Sequence, residues 1–504
     1  MTDLPADARA SKALLASNIV YGTFALGAIS LCQFVSNWAV IRWFGASFHG
    51  NLVWLLAAAQ LGLLLSDLGL AGKGGIRGIA RLRATRTDQL GRAVSEFVTI
   101  PLILAAALGL AMIVAAGPIA AVRGTAEVAP VRMAGAWILL MAGIRACRTL
   151  SIGFERIANT LFMTPVAELA KMLWVFACAA VGLPVIWIFI GWTGAFALAL
   201  LVSLWRTRAL GREFGLRFRL RLDPLGKSLR VVREALPYYV PQVGAVGLAF
   251  IVQLLIGAWH RTDSSEVSVF QVCFSLAVLS RLLATPISSA LLPRIAHIDA
   301  TPEGDHDQTT TVVLLQITRF LGLIATLVFA VYWAIGSQAL ALLYGPKYAA
   351  NLPALLLLAF AVGAENYSLQ LDQVLMAMRY VGVVGWLEVL KYAVLGAIGC
   401  WAIPAYGALG AAGAIGAATA VNVTGKMIAT RTALQHIGAA SFLCTVATFA
   451  AVAGAGLLPF GAWLVLPAWL IAVLALRLLR PREIVQWCRI LHGILSGRER
   501  VRRP

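Results

Sequence analysis

The sequence predicts an all-α protein that crosses a membrane many times and contains two homologous halves. Of its 504 residues, 60% are hydrophobic and only 12% are charged, and the mean hydropathy is +0.85. Apolar runs of about 20 residues, the length that crosses a bilayer, follow one another along most of the chain. A charged pair recurs inside two of these runs, as Glu168-Leu-Ala-Lys171 and, 220 residues later, as Glu388-Val-Leu-Lys391.

Fourteen apolar runs are predicted to be transmembrane helices, and they are numbered here as spans 1 to 14. They cover residues 14–41, 49–71, 89–116, 131–153, 159–182, 184–205, 235–258, 267–292, 309–336, 351–378, 381–403, 408–433, 439–457 and 461–479.

The basic residues predict the orientation of these spans. Six Lys and Arg lie within 72–92, nine within 205–233 and eight from Arg477 onward, which is 23 of the 41 in the chain. All three segments fall on the same side of a fourteen-span count, and positive loops stay in the cytoplasm. Both termini are therefore predicted to be cytoplasmic, in a bacterial inner membrane. The acidic inner loop from Asp299 to Asp307 disagrees, but acids weigh little in this rule.

The charge of +19 does not predict nucleic-acid binding, because it is concentrated in loops beside the membrane, where it can attract anionic lipid. The repeat predicts an N-lobe of spans 1–6 (14–206) and a C-lobe of spans 7–12 (235–436). A cytoplasmic N-terminus (1–13) precedes them and a basic linker (207–234) joins them. An appended helix pair of spans 13 and 14 (437–480) and a basic cytoplasmic tail (481–504) follow. Six spans per half make the two repeats parallel, and parallel repeats place a substrate path between them, as in transporters.

Ionisable residues inside the predicted spans are the candidate functional groups, because a charge at that depth is costly and usually faces a bundle interior or a wet cavity. The basic ones are Arg145, Arg148, Lys171, Arg281, Arg319, Lys391 and Lys426, and the acidic ones are Asp67, Glu96, Glu168, Glu365, Asp372 and Glu388. The basic set predicts a cationic cavity that binds an anionic substrate, and the acidic set predicts ion coupling or charge balance.

For each of these groups, structural pairing is the alternative to a binding role. Glu168 with Lys171 and Glu388 with Lys391 have the spacing that joins acid and base on one helix face, and Asp67 can cap or bridge helix ends. For Arg281 and Arg319 no acid lies within one turn of the same helix, and a planar guanidinium suits phosphate oxygens. These two arginines are the first candidates for contacts to a diphosphate. Lys426 can bind or can snorkel to the interface.

Several signals are absent from the sequence. It has no Gly-x4-Gly-Lys-Ser/Thr loop for nucleotide phosphates, and its six His and seven Cys show no metal-ligand spacing. The predicted outer loops are too short for a catalytic domain. The sequence therefore predicts a protein that is not an enzyme and has no cofactor or metal.

Four motifs resemble those of the polysaccharide flippases of the MOP superfamily, the Wzx-type O-antigen and exopolysaccharide transporters. Phe44-Gly-Ala-Ser-Phe-His-Gly50 and Ser66-Asp67-Leu-Gly69-Leu70 resemble the first hairpin of that family. The segment Leu342-Leu-Tyr344-Gly345-Pro-Lys-Tyr348 and the segment from Ile403-Pro404 to Gly410 resemble the entries into its spans 10 and 12. The resemblance covers about residues 14–435.

This resemblance implies a two-lobed, V-shaped bundle that works by alternating access. It implies a substrate of the form undecaprenyl-diphosphate-linked oligosaccharide, moved from the cytoplasmic to the outer leaflet for lipopolysaccharide or exopolysaccharide synthesis. The partners it implies are this lipid-linked glycan, the membrane lipids and the polymerase and other assembly proteins of that process. One subunit is sufficient for such a cavity.

Three alternatives stay open at this point. The lipid II flippases resemble the chain in architecture but carry arginines within span 1, whereas Arg42 here lies at the end of that span. Ion-coupled antiporters of the same superfamily use mainly acidic sites, and the basic excess argues against them. A membrane glycan polymerase or ligase would need a sizeable outer loop with catalytic side chains.

Overall fold

The computed structural model confirms the all-α, polytopic fold class. It describes residues 6–72, 75–76, 79, 90–122, 127–154, 156–214, 225–261, 263–282, 306–377, 380–434, 439–458 and 461–476. Within these ranges the chain is helical apart from short turns, and it contains no strand.

Fifteen α-helices are numbered here in chain order within the described ranges. They are α1 (Ala6–Phe44), α2 (Ala46–Asp67), α3 (Leu90–Val114), α4 (Ala116–Val122), α5 (Ala129–Gly153), α6 (Thr164–Val181), α7 (Ile186–Glu213), α8 (Leu225–Trp259), α9 (Ser265–Ala277), α10 (His306–Tyr344), α11 (Pro346–Ala349), α12 (Leu352–Ala377), α13 (Val381–Leu434), α14 (Ala439–Gly456) and α15 (Gly461–Ala475). Two 3-10 helices, Ile157–Phe162 and Val278–Ser280, precede α6 and follow α9.

Many of these helices are long and apolar enough to cross a membrane. In the described part of the chain nine qualify by length and hydropathy, or ten when the bent pair Ala235–Gly244 and Gly247–Trp259 is taken as one span. One of the nine is the 50-residue stretch Val381–Thr430, which at about 1.5 Å per residue is far longer than a bilayer is thick. The chain is therefore a multi-pass membrane protein, and the predicted count of fourteen spans stays a prediction.

The break inside α13 lies at Gly407, between the predicted ends of spans 11 and 12. Gly407 has φ 54° and ψ −125°, a conformation that glycine adopts without steric cost. Glu266 accepts a hydrogen bond from the backbone N–H of Ala408 at 2.8 Å, and His260 Nε2 lies 3.1 Å from the carbonyl oxygen of Ile403. The turn between α8 and α9 thus caps the helix that restarts after the break.

The chain divides into two compact units. The first unit consists of Tyr21–Leu276 and Val381–Val421, and the second of Met1–Val20, Ala277–Tyr380 and Asn422–Pro504. The N-lobe and C-lobe inferred from the sequence repeat stay a prediction.

In the first unit, α5 is central and packs against α2, α3 and α7. Gly109 of α3 and Gly135 of α5 approach so closely that a Cβ on either would lie 2.6–2.7 Å from the other's carbonyl oxygen. Small residues at helix contacts are typical of membrane proteins, where close backbone approach replaces the hydrophobic drive. Trp137 of α5 is fully buried and stacks on Phe189 of α7.

The helices α2 and α8 also pack together within this unit. Near their predicted outer ends, Ser264 donates to Asn51 at 2.6 Å and His49 Nδ1 lies 2.8 Å from Ser268 Oγ. A Cβ on Gly50 would collide with the carbonyl group of Ser264. The turn after α8 therefore rests directly on the start of α2.

In the second unit, α10 packs against α12, α14 and α15. Trp469 of α15 donates to Thr326 of α10 at 3.1 Å, and Gly322 leaves room for the side chain of Thr445 on α14. The two last described helices are thus attached to α10 by specific contacts.

Gly50 provides a test of the contact between α2 and the turn after α8. We expect Gly50→Ala to lower the free energy of unfolding by about 1–3 kcal/mol, because the added methyl forces a backbone shift in a packed region. The measurement is thermal unfolding in detergent, followed by tryptophan fluorescence. Gly27→Ala is the matched control, since a Cβ there has no neighbour within 4 Å. Equal unfolding temperatures for the two variants would contradict the contact.

Candidate functional site

Asp67, at the end of α2, joins three parts of the first unit. One carboxylate oxygen accepts from the backbone N–H of Ala71 at 2.5 Å. The other accepts from Gln242 Nε2 of α8 at 2.5 Å and lies 2.8 Å from the Arg145 guanidinium of α5. Leu68, with φ 47°, and Gly69, with φ 82°, turn the chain back so that it can reach this carboxylate. Asp67 therefore has the capping and bridging role that the sequence left open for it.

Glu168 and Lys171 of α6 form an ion pair at 2.8 Å, and both side chains are buried. The Lys171 ammonium also lies 4.6 Å from the ring centroid of Trp192 and 5.0 Å from that of Phe196. Stacking of a cation on aromatic faces adds to the stabilisation by the carboxylate. The predicted acid–base pair on one helix face is present.

Glu388 and Lys391 of α13 form the second pair, at 3.2 Å, and both side chains are buried. Lys391 in addition donates to the backbone carbonyl of Gly244 on α8 at 3.0 Å. The two repeated pairs thus share their internal geometry but have different surroundings, namely aromatic rings in one case and a backbone carbonyl in the other.

In the second unit, the guanidinium of Arg281 forms an ion pair with Glu365 of α12. Directly beside it, Asn366 Nδ2 donates to Ser280 Oγ at 3.0 Å. The 3-10 helix Val278–Ser280 ends immediately before Arg281. Glu365 therefore balances Arg281, which is the neutralising role that the sequence analysis allowed for this acid.

Lys426 of α13 lies 2.8 Å from Asp372 of α12, and its side chain is only 1% exposed. Its ammonium also donates to Ser368 at 2.9 Å, and Ser368 donates to Asn422 at 3.3 Å. Because the side chain is buried among these partners, Lys426 does not snorkel to an interface.

Arg148 and Arg319 are the two predicted cavity residues that have no ion-pair partner among the described residues. Arg148 of α5 is exposed and Arg319 of α10 is partly exposed. Glu96 lies in α3, and its side chain is outside the described part. The Gly109–Gly135 contact between consecutive helices puts position 96 level with position 148, so Glu96 is the acid to test against Arg148.

The charges of the described spans therefore nearly cancel, in five ion pairs of one acid and one base. A buried pair hardly stabilises a protein by itself, but either partner alone would be severely destabilising. The charge in excess lies on two arginines, whose forks can bind two oxygens of a phosphate at once. Such an interior can accept an anion without first breaking an ion pair.

The sequence analysis missed the uncharged polar residues that complete these pairs. Asn366, Ser368 and Gln370 of α12 and Asn422 of α13 are all buried. A signal for them existed, since α12 holds two acids and three uncharged polar residues within the eight positions from Glu365 to Asp372, an unusual density for a membrane span.

No protein-family model and no curated protein sequence matches the chain. Solved structures do match it over most of its length. The structure of the lipid II flippase MurJ in an inward closed conformation superposes with a TM-score of 0.70 and 10% sequence identity, covering 92% of this chain and 100% of that one.

Two multidrug transporters match as well. An inward-facing multidrug resistance MATE family transporter of the MOP superfamily has a TM-score of 0.65 and 13% identity, covering 81% of this chain and 94% of that one. The Vibrio cholerae MATE transporter VcmN, in a mutant form with one aspartate replaced by asparagine, has a TM-score of 0.60 and 13% identity over 84% of this chain and 96% of that one. These neighbours are membrane transporters and flippases, and at such identities they establish the fold: the chain has the fold of MOP-superfamily transporters.

Proposed function

We propose that the protein is a flippase that moves undecaprenyl-diphosphate-linked oligosaccharide from the cytoplasmic to the outer leaflet. The observation that carries this proposal is the pair of arginines, Arg148 and Arg319, that lack an ion-pair partner among the described residues. A diphosphate is the part of such a lipid that needs a counter-charge inside the membrane, and arginine stays charged and offers two parallel donors to it. The fold supports a transporter, and the excess charge supports an anionic substrate.

The mechanism we propose is alternating access without ATP hydrolysis. The sequence has no phosphate-binding loop. An inside-negative potential favours outward movement of an anion by about 2.3 kcal/mol per charge per 100 mV. In this mechanism Arg148 and Arg319 each serve as an anion contact within their own unit.

The paired cations have a secondary role in this proposal. Arg145, Lys171, Arg281, Lys391 and Lys426 remain predicted lining residues, but a carboxylate already balances each of them. They can contribute to substrate binding only when the acid is displaced or takes up a proton. Their acids, together with Glu96, remain the predicted groups for ion coupling or charge balance.

Transport of lipid II is the second candidate function, and the structural similarity to the lipid II flippase favours it. Both candidates concern a diphosphate on a membrane lipid and differ in the head group that follows. The absence of arginine from residues 14–41 of span 1 argues for the oligosaccharide. Both place the protein in a bacterial inner membrane with cytoplasmic termini, acting as a single subunit beside the polymerase and other assembly proteins.

The leaflet in which the lipid-linked oligosaccharide accumulates when the protein is depleted from cells is the decisive observation. Accumulation on the cytoplasmic face with loss of surface polymer is the expected result. Normal translocation with unpolymerised or unattached glycan outside would indicate a polymerase or ligase instead. Loss of lipid II translocation, with the oligosaccharide unaffected, would select the second candidate.

Arg319 is the first residue to test. We expect Arg319→Ala to lower the rate of lipid translocation in proteoliposomes by roughly tenfold or more, because a charge-assisted hydrogen bond is worth about 1.5–3 kcal/mol. Arg319→Lys keeps the charge but loses the fork, so it should retain part of the rate. Arg261→Ala, at an exposed arginine in the turn after α8, is the control. Normal translocation by Arg319→Ala at normal protein level would overturn this role.

The pair of Arg281 and Glu365 separates charge balance from substrate binding. We expect Arg281→Ala to destabilise the protein by about 3–5 kcal/mol, because it leaves Glu365 charged and buried without its partner. The double variant Arg281→Gln with Glu365→Gln should unfold near the wild-type temperature and translocate lipid at a near-normal rate. A double variant that is stable but inactive would show instead that Arg281 touches the substrate.

A further inference from the structure

The helix α8 is bent inside the membrane, whereas its counterpart in the first half of the chain is not. A bend of 52° separates Ala235–Gly244 from Gly247–Trp259. The bend follows two prolines, Pro237 and Pro241, and lies between two glycines. Span 1, which precedes the bend by 220 residues, is a continuous helix from Thr23 to Phe44. The bend is therefore a property of the second repeat only.

Two carbonyl groups at this bend accept hydrogen bonds from α13. The Tyr392 hydroxyl donates to the carbonyl oxygen of Val243 at 2.6 Å, and the Lys391 ammonium donates to that of Gly244 at 3.0 Å. A sharp bend draws such carbonyls away from the amides four residues further on. In a membrane every backbone group needs a partner within the protein, and these two side chains provide it.

The fit between α8 and α13 at the bend requires glycine. A Cβ on Gly244 would collide with the carboxylate of Glu388, and one on Gly247 would lie 2.9 Å from the Tyr392 hydroxyl oxygen. Glu388, Lys391 and Tyr392 thus lie against the bend where a larger residue would exclude them. Glu388 at the same time holds the Lys391 ammonium at 3.2 Å.

The first repeat has the acid–base pair without this contact. Lys171 lies over Trp192 and Phe196, and Met172 occupies the position that corresponds to Tyr392. Phe24, a largely exposed residue, corresponds to Gly244. The features that contact the bend in the second repeat therefore all differ in the first, while the ion pair is shared.

We propose that Lys391 and Tyr392 are positioning residues that hold α8 in its bent form, and that transport requires them to release it. On release α8 straightens, and the carbonyls of Val243 and Gly244 return to the amides of Gly247 and Leu248. Lys391 keeps Glu388 as its counter-ion throughout, so no unpaired charge is created in the membrane. The contact is a switch between two satisfied hydrogen-bond arrangements. This inference rests on the proposed transport function.

The test measures the bend directly in the full-length protein in lipid nanodiscs. Spin labels at Leu236 and Trp259, both exposed, lie on either side of the bend, and the reactive native cysteines are replaced. Straightening α8 should lengthen the distance between the labels by about 3 Å, from a rise of 1.5 Å per residue. We expect Tyr392→Phe to shift the distance distribution toward the longer value and to lower lipid translocation several-fold. Met172→Leu should change neither.

A second variant guards against simple misfolding. Lys391→Met combined with Glu388→Gln removes the ammonium without leaving a buried lone charge, and it should give the same shift at an unchanged unfolding temperature. Wild-type distance distributions in both variants would overturn the proposal. A shift in both variants, with no translocation of either lipid by the wild-type protein, would overturn the proposed function and leave the bend contact standing.

Discussion

The pairing of ionised side chains in a medium without water is the constraint on which the rest of this structure depends. A lone charge inside a span is costly, so each acid of the predicted spans whose side chain the structure describes lies beside a base. These pairs also determine which helices touch. Asp67 and Arg145 join α2 to α5, and Lys426 and Asp372 join α13 to α12. Helix packing and charge neutralisation are achieved by the same side chains.

The two halves of the chain satisfy this constraint with opposite signs. Arg145 in span 4 pairs with Asp67 in span 2, whereas Glu365, which lies 220 residues after Arg145, pairs with Arg281 in span 8. The position of the pair is kept, and its polarity is reversed. A binding site would need one particular sign at one particular place, whereas a link between two helices needs only opposite signs. The reversal therefore favours helix pairing as the main role of these four residues and leaves the excess positive charge to Arg148 and Arg319.

The halves differ further at their repeated Glu–Lys pairs. Aromatic rings surround Lys171, and a backbone carbonyl of bent α8 accepts from Lys391. A transporter has to combine parts that stay rigid with parts that move, and the same pair can serve both when its surroundings differ. A lysine over aromatic rings has no alternative partner to exchange, whereas a carbonyl at a helix bend does.

The sequence by itself determined the all-α membrane class, the positions of most described spans and the break near Gly407, because hydrophobic length and helix-breaking residues are local properties of the chain. It also located the charged residues and the Glu–Lys pairs, since a spacing of three fixes a shared helix face. Only the tertiary structure decided which acid meets which base across helices. Arg281 and Glu365 are far apart in sequence, and their contact depends on helix register and crossing, which no local pattern encodes. The bend partners of Lys391 and Tyr392 were hidden for the same physical reason, because a carbonyl becomes an available acceptor only where packing has bent its own helix.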